Sequence, residues 1–452
     1  MERDTPPAST PSLAKRGSAG EGAKEGEDNE QQTTNNKQQT ISNKQKNKQK
    51  ATSNNKEAHV KTKSMVCCSA AVALLAVASA SYAAGVDNRD VRFITQGSNV
   101  AYSAARNQIA FSRFDPAVIG GPQRNGENDN TGTFQLWIAD ADGSNQRCIS
   151  CRPVSSGPRP NQHVSIPSWS PSGEWLIVSV EMPVHSAPHA KTHGGMGAYV
   201  DIWAVAPDRD EWHQLTHYAD HIYRSWFPDR PVGALIPRLS RGGDRLVWAE
   251  MIGYDIAHPF GVWQLALAKL AFRDGVPMLV GKQISRPGQF DMTFYEAWSF
   301  SADDQWITVA SDSGPAAAGY MDVQLWNPAT DALINLTRSV LQYEEQSIFS
   351  PDGKRIVYMS SAGQTPPFEP YRDFWNTFRT DLWIMNANGS DPRRLTWFSE
   401  PGAPEYLPGA VNRAIPGSWT AEGRYLYFDV ARNIGDHQVH EDSRIYRITV
   451  PQ

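Results

Sequence analysis

The feature that most constrains this sequence is a four-part unit that recurs along its length. Its clearest copy begins at Ser347-Ile-Phe-Ser-Pro-Asp-Gly353, continues through Lys354–Ser360 and Asp381–Met385, and ends at Arg393-Arg-Leu-Thr396. Each part has the length of a short β-strand, and Pro, Asp, Asn and Gly fill the breaks that tight turns require. The unit therefore predicts a four-stranded antiparallel sheet.

Five further copies align on the first turn of this unit. The most complete begins at Ser168-Trp-Ser-Pro-Ser-Gly173, and weaker copies begin at Arg238 and Ser299. The outermost two begin at Ser103 and Ser418. Six such units with no long helical periodicity predict an all-β fold, a six-bladed β-propeller of four-stranded antiparallel blades.

The two ends of the repeat region complement each other. The sixth copy stops at Val450 without a fourth strand, whereas Arg92-Phe-Ile-Thr95 matches the fourth-strand sequence Arg394-Leu-Thr396. We therefore predict that an N-terminal strand completes the last blade and closes the ring, which removes an exposed sheet edge. The propeller is expected to span residues 91–452.

The residues ahead of the repeats divide into two segments. Residues 1–64 are rich in Gln, Asn, Lys, Thr and Ser, a composition that predicts disorder. Residues 65–84 begin with the apolar run Met65–Val77 behind Lys61 and Lys63 and end in small residues, as a secretory signal does, with cleavage near Ala83 or Ala84. An uncleaved membrane anchor is the alternative, and translation is expected to start near Val60 or Met65.

This segment sets the expected location and excludes one class of partner. Cleavage would leave a periplasmic or secreted protein with no membrane span. The chain carries 43 Lys and Arg against 48 Asp and Glu, and the disordered tail holds an excess of the basic ones, so the folded part is acidic. Acidic domains are poor binders of phosphate backbones, and nucleic acid is not expected as a partner.

Four cysteines occur in two pairs. Cys67 and Cys68 lie inside the signal and would be removed with it. Cys148 and Cys151 provide two ligands where a structural zinc site needs four. A local disulfide and two free thiols both remain open for this pair.

The turn and third-strand residues of the unit resemble the WD40-like PD40 repeat of TolB-type propellers, over nearly all of the mature chain. The resemblance implies the propeller fold and a periplasmic module that binds proteins without catalysis. TolB proteins also carry an α/β domain ahead of the propeller, whereas only Gly85–Val91 separate the signal from the first strand here. A role in the Tol system itself is not implied.

The long connections of the predicted blades all lie on one face, which we call the loop face. They join the second strand to the third or one blade to the next, and loops on a rigid scaffold are where binding residues gather. Several histidines fall in them, and imidazoles can hold a divalent metal. The candidate ligands are His185, His189, His217 and His221. Solvated loop histidines are the alternative.

Two acidic residues recur at one position of the unit. Glu296 and Glu345 each lie five residues before the serine of their first turn, Ser301 and Ser350. Equivalent positions on adjacent inner strands place both near the mouth of the central channel, where they could bind a cation or act as acid and base. The candidate binding residues are Glu296, Glu345, Asp291, Tyr295 and Tyr343. Hydrogen-bonded carboxylates with a structural role are the alternative.

Two functions fit these features. The first is a monomeric, non-catalytic module that binds an envelope protein, peptide or glycan on the loop face, with no cofactor. The second is a metal-dependent lyase or hydrolase acting on acidic oligosaccharides, because oligogalacturonate lyases resemble TolB-type propellers. A prolyl-oligopeptidase relative would need a G-x-S-x-G nucleophile elbow, which the sequence lacks.

Overall fold

The computed structural model describes residues 90–117, 132–182, 199–218, 233–255, 258–285, 294–312, 319–369, 373–433 and 442–451. The proposed tail and signal segment lie outside these residues. The described residues form six four-stranded antiparallel sheets, as the repeat predicts. Each sheet is one blade, and the innermost strands contact one another around a common centre.

The blades follow one another in chain order. Blade 1 consists of β2 (Ser98–Ser103), β3 (Gln108–Asp115), β4 (Thr133–Asp140) and β5 (Arg147–Cys148), blade 2 of β6 (Val164–Trp169), β7 (Leu176–Glu181), β8 (Val200–Ala206) and β9 (Glu211–Gln214), and blade 3 of β10 (Gly233–Leu239), β11 (Arg245–Asp255), β12 (His258–Arg273) and β13 (Val276–Ile284). Blade 4 consists of β14 (Tyr295–Phe300), β15 (Ile307–Ser311), β16 (Asp322–Asn327) and β17 (Ala332–Asn335), and blade 5 of β18 (Glu344–Phe349), β19 (Arg355–Ser360), β20 (Asp381–Asn386) and β21 (Arg393–Arg394). Blade 6 consists of β22 (Val411–Trp419), β23 (Tyr425–Asn433), β24 (Arg444–Thr449) and β1 (Val91–Gln96), and a short helix α1 (Phe374–Thr377) precedes β20.

The N-terminal strand is the outer strand of blade 6. β1 pairs antiparallel with β24, from Val91 opposite Ile448 to Gln96 opposite Arg444. Ile94 of this strand is buried and packs in a cluster with Ile445. The first and last segments of the propeller are thus joined by a hydrogen-bonded ladder.

A hydroxyl group anchors the turn between the first and second strands in blades 2 to 6. In blade 5, the hydroxyl of Ser350 accepts the N–H of Arg355 at 3.0 Å, and the carbonyl of Ser350 accepts the N–H of Gly353 at 2.9 Å. Ser170, Ser240, Ser301 and Thr420 make the equivalent bonds in the other blades. Gly353 has a φ of 70°, a conformation that glycine adopts without strain. The Ser-Pro-Asp-Gly motif of the sequence is therefore a structural element.

The Leu-Thr motif at the end of the unit is also structural. In blade 5, the Thr396 hydroxyl donates to Asp381 at 2.8 Å and accepts the N–H of Leu382 at 3.0 Å. Asp201 with Thr216 and Asp322 with Thr337 repeat this link in blades 2 and 4. The carboxylate also accepts the N–H of the residue two beyond each threonine, as Phe398 does in blade 5. This network fixes the chain where it leaves one blade for the next.

The core consists of apolar layers between neighbouring blades. One large cluster joins blades 3 and 4 and includes Leu267, Trp298 and Trp326. Cys148, the last residue of β5, forms a disulfide with Cys151. Within the described ranges, no helix is long and apolar enough to cross a membrane.

Candidate functional site

The innermost strands place a cluster of charged side chains at the centre of the propeller. Every inner strand carries a register shift before its first turn, and Glu345 precedes that shift in β18. The shift requires a left-handed backbone at Gln346 in blade 5, with a φ of 51°, and at Ile236 in blade 3, with a φ of 56°. A β-branched residue rarely adopts this conformation, so the inner strands are held by their surroundings.

Glu296 and Glu345 meet in this cluster. Both are buried, with 4% and 6% of their surfaces exposed. Burial, the negative charge of Glu345 and a hydrogen bond to Glu345 raise the pKa of Glu296 well above its usual range. Burial also raises the pKa of Glu345, while hydrogen bonds from Glu296 and Tyr343 oppose that rise. The hydrogen bond between them therefore runs from Glu296, whose pKa is the more strongly raised, to Glu345.

Tyr343 is the second donor to Glu345. Burial and the interactions with Glu345 and Glu296 raise the pKa of Tyr343 well above its usual range, so its hydroxyl stays protonated. Its ring contacts Phe378 edge-on, with centroids 4.6 Å apart, and Phe368 at 5.3 Å. The carboxyl pair is thus covered on this side by aromatic rings from the chain between β19 and β20.

Two arginines supply positive charge to the same cluster. Burial lowers the pKa of Arg238 to about 10, and its interaction with Glu296 opposes the effect. Burial also lowers the pKa of Arg413 to about 10, and its interactions with Tyr343 and Asp429 oppose the effect. Both guanidinium groups remain charged at neutral pH. Arg413 lies over the ring of Phe378 at 5.3 Å, and Arg238 lies over Trp298 at 5.4 Å.

Asp429 of β23 extends the cluster to blade 1. Its carboxylate accepts the N–H of Asn99 at 2.8 Å, and Asn99 has a φ of 53° at the register shift of β2. Burial raises the pKa of Asp429 to about 7, while the Asn99 bond and Arg413 oppose that rise. Charged or hydrogen-bonding groups therefore connect the inner parts of blades 3, 4, 5, 6 and 1.

The other predicted binding residues lie elsewhere or outside the described ranges. Tyr295 is buried in the apolar cluster between blades 3 and 4. The neighbouring Glu344 faces away from the pair, because its hydrogen bonds go to Thr337, Ser339 and Ser360, and burial raises its pKa to about 7. Asp291 is not among the described residues.

The structure leaves most of the predicted metal site untested. His185, His189 and His221 lie outside the described residues, whereas His217 is described and exposed. Burial raises the pKa of Asp201, the carboxylate of the Leu-Thr network in blade 2, and the neighbouring His217 is among the groups that oppose this rise. In the described part of the chain, no three His, Cys, Asp or Glu side chains are placed to hold a metal ion.

Three residues of the central cluster, Arg238, Arg413 and Asp429, were absent from the sequence prediction. Arg413 lies seven residues before the turn hydroxyl of Thr420, and Tyr343 lies seven before Ser350. An alignment on the turn hydroxyls would therefore have placed Arg413 beside Tyr343. At the positions of Arg238 and Asp429 relative to the turn hydroxyl, the other blades carry no acidic residue or tyrosine. The role of these two residues is therefore visible only in the packing of the blades.

The arrangement can be compared with known proteins now that its geometry is described. No protein-family model and no curated protein matches the chain. Among solved structures it is similar to TolB from Acinetobacter baumannii, with a TM-score of 0.40 and 13% identity over 77% of this chain and 65% of that one. A putative TolB from Agrobacterium tumefaciens gives 0.39 and 12% over 68% and 94%. An oligogalacturonate lyase in complex with manganese gives 0.39 and 12% over 80% and 91%.

The propeller fold of this chain is established by its own six sheets. Its four-stranded blades and their order establish the architecture independently of these neighbours. A common fold hosts many functions, so the chemistry of this chain has to be argued from its own residues.

Proposed function

We propose that this chain is an exported, non-catalytic propeller that binds an envelope protein, peptide or glycan on its loop face. The observation that carries the proposal is the chain between β19 and β20, the longest loop-face connection for which most residues are described. Its backbone is hydrogen-bonded to the inner strands at Ser361 and Thr380, while residues between these two points, such as Asp373 and Asn376, are exposed. A fixed, exposed loop gives up little entropy when a partner binds, which favours affinity.

Aromatic and hydrogen-bond contacts hold this loop. Phe368 and Phe378 pack on each other at 5.2 Å and on Tyr343. The hydroxyl of Tyr320, from the neighbouring blade, donates to the carbonyl of Phe368 at 3.3 Å. The Thr377 hydroxyl accepts the N–H of Glu369 at 3.0 Å.

The exposed residues of the loop then form a defined surface. Pro366, Pro367, Asp373 and Asn376 are exposed, and Asn376 donates to Asp373 at 2.8 Å. Pro366 and Pro367 are rigid, and the side chain of Asn376, in the helix α1, is held by its hydrogen bond to Asp373. These residues therefore form a stiff platform that loses little side-chain entropy when a partner binds. We infer that a partner contacts this platform.

The carboxyl pair fits a binding module better than an acid–base site. A general acid must reach the proton that it transfers, whereas Glu296 and Glu345 are almost entirely buried and bonded to each other. Tyr343 and the arginines engage the remaining groups. We therefore assign this cluster a structural role in holding the inner strands.

The test compares two variants of the mature domain in pull-downs from the cell envelope. Pro367→Arg combined with Asn376→Arg alters the platform, and Lys354→Ala alters the opposite, turn-bearing face as a matched control. Loss of the same captured component with the double variant alone supports the proposal. Equal capture by both variants would place the binding surface elsewhere.

Two measurements check the other parts of the proposal. Cell fractionation with an antibody against the propeller tests export, and a cytoplasmic protein would contradict it. Elemental analysis of the untagged domain after dialysis tests for a bound metal. Stoichiometric manganese, zinc, nickel or iron, together with cleavage of an acidic oligosaccharide, would replace the non-catalytic function by the lyase or hydrolase alternative.

A further inference from the structure

Blade 3 carries an outer hairpin that differs from those of the other blades. Its outer strand β13 has nine residues, whereas the outer strands β5, β9, β17 and β21 have two to four. β12 pairs with β11 only as far as Lys269 opposite Arg245. Four further residue pairs, from Leu270 opposite Leu279 to Arg273 opposite Val276, extend beyond the sheet.

A two-residue turn ends this projection. Asp274 and Gly275 have φ angles of 52° and 83°, the left-handed pair that joins antiparallel strands of normal twist. In the other described blades the third and fourth strands extend at most one residue pair beyond the second strand. The blade 3 hairpin therefore presents a surface that the repeat itself does not require.

The two faces of the hairpin have different surroundings. On one face, the Phe272 ring lies 6.0 Å from Trp175 of blade 2. On the other face, Val276, Met278 and Val280 lie opposite Arg273, Ala271 and Lys269, respectively. Val276 and Val280 are 40% and 39% exposed, and Lys269 and Arg273 are also exposed. We call these six residues the hairpin strip.

The hairpin strip continues into a cleft between blades 3 and 4. Leu267 and Gln283 form the next cross-strand pair on the same face, and both line a cleft of about 340 Å³. The opposite wall consists of Trp326 and the turn from Pro328 to Asp331 of blade 4. A volume of this size is at the lower end for ligand sites.

A buried hydroxyl in this cleft has no partner among the described residues. Ser285 lines the cleft, is 6% exposed, and its Oγ makes no hydrogen bond to any part of the chain that the structure describes. Buried hydroxyls are normally hydrogen-bonded, because leaving one unpaired is unfavourable. A polar group entering the cleft would supply the missing bond.

We propose that the hairpin strip and this cleft form one docking groove for an extended segment of a partner protein that carries apolar and acidic side chains. The apolar side chains cover Val276, Met278 and Val280. The acidic ones pair with Lys269 and Arg273, the only charged residues of the strip, on a chain whose net charge is −5. An uncharged polar side chain enters the cleft and bonds to Ser285.

Two details favour a protein segment bound through its side chains. The negative charge of Asp274 at the tip weakens the attraction of Lys269 and Arg273 to an anionic membrane surface, which makes lipid the less favoured occupant. Pro277 has no N–H to offer on the outer edge of β13, and Gly281, at a φ of 66°, accompanies a register shift in that strand. Both features weaken extension of the sheet by an added strand. The groove lies on the outer edge of blade 3 and is separate from the loop-face platform.

The test is the selection of a phage-displayed library of random peptides on the mature domain. Peptides that bind a Val276→Asp, Val280→Asp double variant are removed first. We expect enriched sequences with apolar and acidic residues, and we expect the corresponding synthetic peptides to bind the double variant Lys269→Glu, Arg273→Glu roughly fivefold or more weakly than the wild type. Circular dichroism checks that each variant is folded.

Matched substitutions distinguish binding in the groove from unspecific binding to exposed apolar residues. Leu341→Asp changes another exposed apolar residue, 63% exposed on the connection between blades 4 and 5, and should leave peptide binding unchanged. Ala329→Trp fills the mouth of the cleft and should weaken binding, whereas Ala332→Trp, on the exposed β17, should not.

Four results would overturn the proposal. In the first, no peptide is selected whose binding depends on the hairpin strip, and in the second, the selected peptides lack acidic residues. In the third, the peptides bind the Lys269→Glu, Arg273→Glu variant as tightly as the wild type. In the fourth, the domain binds phosphatidylglycerol vesicles and the vesicles displace the peptides. The loop-face pull-down has an independent outcome. An envelope component captured equally by the wild type and by the Val276→Asp, Val280→Asp variant would support the proposed function even if the groove failed every test.

Discussion

Glu296 and Glu345 lie at the same level of adjacent inner strands, each five residues before a turn serine, and are hydrogen-bonded to each other across the boundary between blades 4 and 5. Glu296 donates the proton, and Glu345 accepts it together with the hydroxyl of Tyr343. An interaction of this kind depends on a donor at position 296 rather than on a charge there.

Replacement of Glu296 by Gln should therefore be tolerated, because an amide can also donate to Glu345. We expect the free energy of unfolding at neutral pH to change by about 1 kcal/mol or less. Replacement by Leu leaves Glu345 with one donor fewer in a buried site, and we expect a loss of roughly 2–4 kcal/mol. Urea unfolding followed by tryptophan fluorescence measures both. If the two variants were equally unstable, the hydrogen bond would not be the stabilising interaction.

The turn hydroxyls explain why the sequence predicted this pair and Tyr343, but not Arg238, Arg413 and Asp429. The position of a residue relative to Ser301 or Ser350 fixes its level along an inner strand, which is local information. The depth of burial at that level depends on how the side chains of several blades fill the centre, which no single unit determines. The sequence therefore indicated a channel mouth, whereas packing buries both carboxyls.

The long hairpin of blade 3 was missed for a related reason. Its turn residues, Asp274 and Gly275, are a strong hairpin signal between alternating strands. In the sequence, however, the strands on either side contain no feature that shows where β11 stops pairing. The projection becomes visible only through the register, in which Arg245 lies opposite Lys269.

Asp429 predicts a pH dependence of stability. Its pKa is about 7 in the folded chain and about 3.9 in an unfolded one. Between these values the folded state binds more protons than the unfolded state, so stability falls as the pH rises from about 4 to about 7. Asp429→Asn keeps an acceptor for the N–H of Asn99 without a charge. At pH values above 7 we expect the free energy of unfolding of this variant to exceed that of the wild type by roughly 1–3 kcal/mol.

Unfolding in urea at several pH values between 4 and 8 measures this effect. The decrease in stability across this range should be smaller in Asp429→Asn than in the wild type. Glu344→Gln should reduce the decrease as well, because the pKa of Glu344 is also raised to about 7. If the stability of Asp429→Asn depended on pH in the same way as that of the wild type, ionisation of Asp429 would not destabilise the folded state.

Thr396 tests the structural role of the Leu-Thr motif. Thr396→Val keeps the shape of the side chain but removes the donor to Asp381 and the acceptor for the N–H of Leu382. Since both partners are buried, we expect the free energy of unfolding to fall by about 2–4 kcal/mol. Thr396→Ser should recover most of this stability. Thr330→Val, at an exposed turn, should lower the free energy of unfolding by less than about 0.5 kcal/mol. A serine variant as unstable as the valine variant would point to packing of the methyl group.

The strand β1 makes the stability of the propeller depend on its N-terminal residues. Ile94 is 8% exposed and packs against Ile445 and Val100, so that it contacts both the last blade and the first. We expect Ile94→Ala to lower the free energy of unfolding by about 2–4 kcal/mol, whereas Arg92→Ala, two residues away on the exposed side, should change it by less than about 0.5 kcal/mol. Hydrogen exchange followed by mass spectrometry should show faster exchange in β24 of the Ile94→Ala variant, because β24 would lose its outer partner more often. Exchange that rose equally in all blades would mean that the ring opens as one cooperative unit, not at the β1–β24 ladder.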